Sequence, residues 1–227
     1  MKIYNSRTQF VLEAINQDMP LQRNVLDVGF IGDYEEAEVH YNIVDALRES
    51  DRLVGLDIDK KKMEIFLDSE KTKLRVNKYN LQYEIGSIFD TRFSDNTFSH
   101  VLMLEVFEHL FSPYSSLNEI KRVLRPGGSF IVTYPNPLGI TRFIKYYFKN
   151  DLLDDKFIKE FRGNPEHMIF PHPVCFAIYL KELGFEVRMI SFIKYDFKYF
   201  PSIHKMLARI GITTKFSSYI GIHAIKQ

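Results

Sequence analysis

Residues 24–30 (NVLDVGF) form a near-continuous apolar run, and residues 34–49 behind them place Val39, Ile43 and Leu47 four positions apart. The first pattern suits a strand buried on both faces of a parallel sheet. The second suits a helix with one apolar stripe. The pairing then repeats. RLVGLDID (52–59) leads into the polar helix start KKKMEIFL, LQYEIGSI reads as a third strand ending near Gly86, and SHVLMLEV (99–106) as a fourth. Ahead of them, TQFVLEAINQ (8–17) predicts a short helix with Phe10, Ala14 and Ile15 near one face. The helix after the fourth strand carries its own punctuation: Ser112 as a cap, Pro113 at the first position and RPGG (125–128) as its end. Leu117, Ile120 and Leu124 supply its stripe, and the strand SFIVTYP follows. Residues 24–135 thus alternate strand and helix, as a doubly wound parallel α/β sheet does.

After Asn136 the rhythm breaks. Residues 137–172 are long for a connection and hold an aromatic, basic patch, RFIKYYFKND. A helix over 174–183 follows, with Phe176, Leu180 and Leu183 facing inward and Gly184 closing it. FEVRMISFIKY and YIGIHAIK predict two final strands, joined by a mixed helix and loop over residues 197–218.

Composition narrows the picture. The 227 residues suffice for one full-sized core, so a single domain over 1–227 is expected. A formal net charge of +1 gives no polyanion-binding signature, and nucleic acid is not the expected partner. No apolar run approaches the ~18 residues of a membrane span, and the N-terminus lacks the apolar core of a signal peptide. Cys175 is the only cysteine, which excludes a disulfide framework and fits a reducing cytoplasm. Aromatic content is 20 Phe and 13 Tyr without Trp, and many of these residues crowd into 143–200.

In an open α/β sheet, ligands bind beyond the carboxyl ends of the strands. That rule selects residues 29–33, 57–59, 86–88 and 105–109. Gly29 permits close backbone approach or a positive φ, although a plain tight turn needs the same residue. Asp57, ending the second strand, can accept hydrogen bonds from both hydroxyls of a ribose, although it would serve equally as a helix cap. Together the loop and the acid point to an adenosine-containing cofactor. Asp33, Glu35 and Glu36 stand where a dinucleotide would put its pyrophosphate and would repel it. The same acids also complement a helix dipole. A cofactor without phosphates and with a positive group, S-adenosylmethionine, suits the loop better.

Here the residues carry a likeness. The chain resembles class I S-adenosylmethionine-dependent methyltransferases of the small-molecule, ubiquinone-pathway-like type, from about residue 24 to 190. VLDVGFIGD is similar to the first motif, VGLDID to the second, and residues 93–137 (FSDNTFSHVLMLEVFEHLFSPYSSLNEIKRVLRPGGSFIVTYPNP) follow the family pattern most specifically. PEHMIFPHPVCFAIYLKELGFEV resembles its late histidine-then-helix segment. The resemblance implies a Rossmann-like, doubly wound, mostly parallel seven-stranded sheet with the last strand antiparallel, and an aromatic helical insert after strand five. It implies S-adenosylmethionine as cofactor and S-adenosylhomocysteine as product. It also implies roles. Asp27 would hold the methionine amino group, and Gly29, Phe30 and Gly32 would form the loop against the cofactor. Asp57 would bind the ribose and Ile58 would pack on the adenine. Ser87 and Ile88 would edge the adenine, and Leu104 and Glu105 would flank the cofactor opposite. The chain departs from the pattern at Ile31 and Asp33, which replace motif glycines, and at Ser87, which replaces an aspartate.

Methyl transfer to a hydroxyl needs that hydroxyl's proton removed. His109 and His167 are the expected bases, with His172 behind them; a structural histidine is the competing reading of each, and for Glu108 an exposed acid is. The insert over 137–172 would cover a small-molecule acceptor, a sugar, glycan or lipid-linked metabolite. Phe143, Tyr146, Tyr147 and Phe148 would either wall that pocket or pack on the sheet. Arg142, Lys145 and Lys149 among those aromatics also suit interfacial membrane contact. Arg7 would pair with the cofactor's carboxylate. The histidines are scattered in sequence, so no metal site is expected. The competing function is a catalytically degenerate methyltransferase fold that binds the cofactor or acts as a scaffold.

Overall fold

The computed structural model describes residues 3–17, 22–31, 34–137, 139, 167–193 and 217–227. Their strands are β1 (Ile3–Tyr4), β2 (Asn24–Val28), β3 (Arg52–Asp57), β4 (Asn80–Ile85), β5 (Phe98–Leu104), β6 (Leu124–Pro135), β7 (Phe185–Ile193) and β8 (Tyr219–Lys226). The helices are α1 (Arg7–Gln17), α2 (Tyr34–Asp45), α3 (Lys60–Asp68), α4 (Glu70–Val76), α5 (Pro113–Val123) and α6 (Pro173–Glu182), with a 3-10 turn at Phe107–His109 between β5 and α5.

All eight strands join one sheet in the order β1-β7-β8-β6-β5-β2-β3-β4. Only β8 runs antiparallel, inserted between β6 and β7. Without the two-residue edge strand β1, the remaining seven have the expected architecture. The chain runs β2, β3, β4 toward one edge and returns to β5 on the other side of β2. The reversal therefore falls between β2 and β5, and the crevice beyond their carboxyl ends is the expected ligand position.

The continuous apolar runs reflect burial on two faces. Every residue of β5 is buried, and Val25 to Val28 of β2 are too. On one face, Leu26, Val101 and Met103 pack under Leu117 and Ile120 of α5 and Phe176 of α6. On the other, Val25 and Leu102 pack under Phe10 and Ala14 of α1 and Ile43 of α2. Full burial of each such side chain contributes about 1.5–3 kcal/mol. The alternation of faces along β2 and β5 fixes the register, because a one-residue slip would exchange the two cores.

Three local expectations are corrected. Ser112 precedes α5, but its hydroxyl pairs with the Ser115 hydroxyl at 2.6 Å and makes no bond to a backbone N–H. RPGG does not end α5: the helix stops at Val123, and Leu124 already pairs with Phe98 of β5. Residues 125–128 are then a bulge before Ser129 pairs with His100, with Gly127 at φ +73°. Finally, α2 ends at Asp45, and Leu47 is buried beyond it. The α6 expectation holds, with Pro173 at the first turn and Gly184, at φ +85°, just past the end. The expected features at Phe143 to Phe148, and most of the link over 197–218, lie outside the described residues.

Among the described residues, no helix is long and apolar enough to cross a membrane.

Candidate active site

Sheet register brings the chemistry together. Val28 of β2 pairs with Leu56 of β3 and Met103 of β5, and Asp57 pairs with Ile85. Gly29, Asp57, Gly86 and Glu105 thus emerge side by side at one end of the sheet. The Gly29 N–H donates to Leu56 O at 2.7 Å, and the Gly86 N–H to Asp57 O at 2.9 Å, so each loop begins tied to the neighbouring strand.

Gly29 sits at φ +67°, and a Cβ there would lie 2.4 Å from Val106 Cγ2. Both the conformation and the space therefore require glycine. The two residues after it turn inward. Phe30 and Ile31 are buried in a cluster with Tyr41, Met63 and Phe66. The Phe30 ring lies against Gly55, where a Cβ would approach to 2.5 Å, and tilts over His40 at 4.4 Å between centroids. The large residues of this altered loop thus anchor it to α2 and α3, leaving Phe30 a backbone role toward a ligand. Gly32 and Asp33 lie outside the described residues.

Asp57 is already partly engaged. Its Oδ2 accepts the Ile31 N–H at 3.3 Å and its Oδ1 the Asp59 N–H at 2.9 Å. The first bond joins the glycine loop to β3. Asp59 in turn caps α3 by accepting the Lys62 N–H at 2.9 Å. Ile58 stands 74% exposed, an apolar face available for a flat ring, whereas Ile88 is buried. The Ser87 hydroxyl accepts the Phe89 N–H at 3.3 Å.

Asp27 is buried, and His40 Nδ1 lies 2.7 Å from its Oδ2. His40 Nε2 lies 3.2 Å from the Tyr83 hydroxyl, which burial, first, and nearby Tyr41 and Asp27 push above the usual tyrosine range. The sequence reading missed His40. The only signal was its place next to Val39 and three residues before Ile43, on the inward side of α2.

Across the crevice, Leu104 is buried at the end of β5, and Glu105 takes a left-handed φ of +58°. That conformation costs a non-glycine residue about 1–3 kcal/mol and tends to accompany functional geometry. Here the Glu105 N–H is held by Thr133 O at 3.0 Å. The 3-10 turn that follows redirects the chain. Glu108, a candidate substitute base whose competing reading is an exposed acid, is fully buried. Burial, first, and the neighbouring Glu105 carboxylate push its carboxyl well above the usual range, against the positive charge of Arg7. Arg7 itself is buried, its guanidinium over the Tyr219 ring.

The expected pair of histidines meets at this turn. The His109 and His167 rings lie edge to face with centroids 4.7 Å apart, and His167 Nε2 lies 3.9 Å from Glu108 Oε1. The Met168 N–H donates to Glu108 O at 2.7 Å, which docks the late segment on the turn. His172 stands exposed at the start of α6, away from this group. The expectation of scattered histidines is thus corrected: one ligand atom from each of Glu108, His109 and His167 lies within 4.8 Å of the others.

Residues 26–132 match the methyltransferase domain family. Over 92 residues the chain is 36% identical to an uncharacterised methyltransferase of Schizosaccharomyces pombe, a match covering 40% of this chain and 33% of that protein. Over 99 residues it is 30% identical to a demethylmenaquinone methyltransferase of Symbiobacterium thermophilum, covering 43% and 38%. The chain thus spans well under half the length of these curated relatives. A solved S-adenosylmethionine-dependent methyltransferase from Aquifex aeolicus shares the fold, with a TM-score of 0.58 at 15% identity over 95% of this chain and 89% of that one. Residues 26–132 are thus similar to a methyltransferase domain on a shared fold, and the cofactor expected from the sequence is S-adenosylmethionine. The donor set fits that cofactor: a partly exposed glycine backbone at 29, a carboxylate at 57 and an exposed apolar side chain at 58.

Proposed function

We propose that this chain transfers a methyl group from S-adenosylmethionine to a hydroxyl of a small-molecule acceptor. The observation that carries the reading is the convergence of His109, His167 and Glu108 on the turn whose Val106 packs against Gly29. Proton-handling groups and the cofactor loop share one crevice. Asp27, Gly29, Phe30 and Gly32 would shape the methionine end, Asp57 would bind the ribose, Ile58, Ser87 and Ile88 would hold the adenine, and Leu104 and Glu105 would close the opposite side.

In the reaction, a lone pair of the acceptor oxygen forms the new O–CH3 bond. The S–CH3 bond breaks and its electron pair goes to sulfur, turning the sulfonium into a neutral thioether. The hydroxyl proton goes to a neutral imidazole, His109 or His167. The protein supplies position, exclusion of water and this proton transfer. The insert over 137–172 would cover the acceptor, for which sugars, glycans and lipid-linked rings are the classes to screen. The relative from Symbiobacterium thermophilum is a demethylmenaquinone methyltransferase, which places the lipid-linked class in the screen. The basic aromatic segment of the insert suits interfacial contact for such an acceptor.

The test combines calorimetry with an acceptor screen. Purified protein should bind S-adenosylmethionine and S-adenosylhomocysteine but not NAD, and should release S-adenosylhomocysteine with at least one hydroxyl acceptor. Absence of binding to either adenosyl compound overturns the reading. Tight binding without turnover on any acceptor class would favour a cofactor-binding scaffold, the reading that the large Ile31 in the glycine loop keeps in play.

A further inference from the structure

The most unusual group among the described residues is the Glu108 carboxylate. It is fully buried, and its oxygens make no well-formed hydrogen bond, the Glu105 carboxyl being the polar group beside it. A carboxyl removed from water must either keep its proton or have its charge met by a cation at its side. Around it the structure places the side chains that a cation would use. His167 Nε2 is 3.9 Å away, the His109 ring stands edge to face with that of His167, and all three donor atoms fall within 4.8 Å.

We propose that Glu108, His109 and His167 form a binding site for a divalent first-row transition cation, Zn2+ being the best match. Two imidazole nitrogens and one carboxylate oxygen favour zinc or ferrous iron over magnesium, calcium or manganese, which prefer oxygen shells. Metal–ligand bonds of about 2.0–2.2 Å would draw the donor atoms to about 3–3.5 Å from one another. His167 provides that movement. Its side chain retains 13% exposure while that of Glu108 has none, so the carboxylate is the fixed wall and the histidine the adjustable one. The segment bearing His167 is nonetheless tied to the turn by the Met168 N–H to Glu108 O bond, which makes the site a product of the fold.

Three protein ligands leave positions open, as catalytic sites do and structural sites do not. The open side would serve the acceptor, and this consequence alone rests on the methyl-transfer reading. A hydroxyl oxygen bound to the cation becomes more acidic and releases its proton to water or a neighbouring carboxylate. In the metal-bound enzyme the histidines thus act as ligands, and the cation replaces them in easing proton loss. Glu105, three residues before Glu108, brings a second carboxyl beside the site.

The test uses untagged, chelator-treated full chain and needs no acceptor. Calorimetric titration with ZnCl2, and separately MnCl2 and MgCl2, should give one Zn2+ per chain with zinc tighter than magnesium. His167→Ala, His109→Ala and Glu108→Gln should each weaken zinc binding at least tenfold. Co2+ added to the wild type should give a visible ligand-field band that each variant loses. Should the buried Glu108→Gln fail to fold, His167→Ala decides, since it sits at the more exposed ligand and its fold is checked by circular dichroism. Sub-stoichiometric zinc binding by the wild type overturns the proposal, and so does equal binding by wild type and the histidine variants. S-adenosylmethionine is titrated into the same samples. Zinc binding without cofactor binding would remove the methyl-transfer reading and leave the metal site. Cofactor binding without zinc binding would do the reverse.

Discussion

Val106 occupies the space that a side chain on Gly29 would need: a Cβ there would come within 2.4 Å of Val106 Cγ2. The contact spans β2 and β5 at the point where strand order reverses. It joins the glycine loop to the turn that carries Glu108 and His109, so the two sides of the crevice meet in one packing contact.

Gly29→Ala should therefore be costly twice over. A left-handed φ costs an alanine about 1–2 kcal/mol and the overlap about 1–3 kcal/mol more. Urea unfolding should show a loss of about 2–5 kcal/mol. Adding Val106→Ala should return the steric part and leave the conformational part. A double variant no more stable than Gly29→Ala would refute the contact as the cause.

Asp57 links the glycine loop to β3 through the Ile31 N–H and is the expected ribose ligand. Asp57→Ala should weaken S-adenosylmethionine binding by about 1.5–3 kcal/mol, the range for a charge-assisted bond. Calorimetry on the folded variant measures it directly, and an unchanged Kd would strip Asp57 of that role.

The Asp27–His40 pair lies beneath the same loop, and both side chains are buried. Truncating one partner of a buried pair strands the other, at about 3–5 kcal/mol. His40→Ala should accordingly lose far more stability than Asp27→Asn, which keeps a hydrogen-bonding side chain of the same shape. Equal losses in the two variants would refute this and mean that the carboxylate, which Asn removes, carries the pair's contribution.

Much of this was legible in the sequence because it is local. NVLDV and FSHVLML are mostly apolar without strict alternation because both faces of the sheet are covered, and that pattern puts them at the centre. Gly29 and Glu105 follow from being the first residues past such strands, and Asp57 from ending one. What stayed hidden depends on tertiary contacts. Glu108 reads as an exposed acid until the 3-10 turn points it inward. His167 reaches His109 only because a backbone bond docks residue 168 on that turn. Phe30 and Ile31 look like damage to a glycine loop until the cluster beneath them shows what they anchor. β1 is two residues long, too short for any periodicity to reveal.

At the opposite end of the sheet, stability should carry a specific acid dependence. Asp51 is buried and accepts bonds from the Arg23 and Arg48 backbone N–H groups at 2.9 Å, and from both guanidinium groups. Burial alone would raise its pKa. The bonds from Arg48 and Arg23 outweigh that and hold it at about 2, against an ordinary 3.8. Because the folded value lies below the unfolded one, the stabilisation is complete above about pH 4 and is lost as pH falls through 2. Its size is about 2 kcal/mol. Glu119 behaves alike: the Arg122 guanidinium, first, and Thr91 hold it at about 2 from an ordinary 4.5. Solvent at the partly exposed Arg122 screens that contribution. Unfolding free energy of the wild type should therefore fall steeply between pH 4.5 and 2, and Asp51→Asn should flatten that slope while lowering stability at pH 7. An Asp51→Asn variant with the wild-type acid slope would show that the arginine bonds do not set the pKa of this carboxylate.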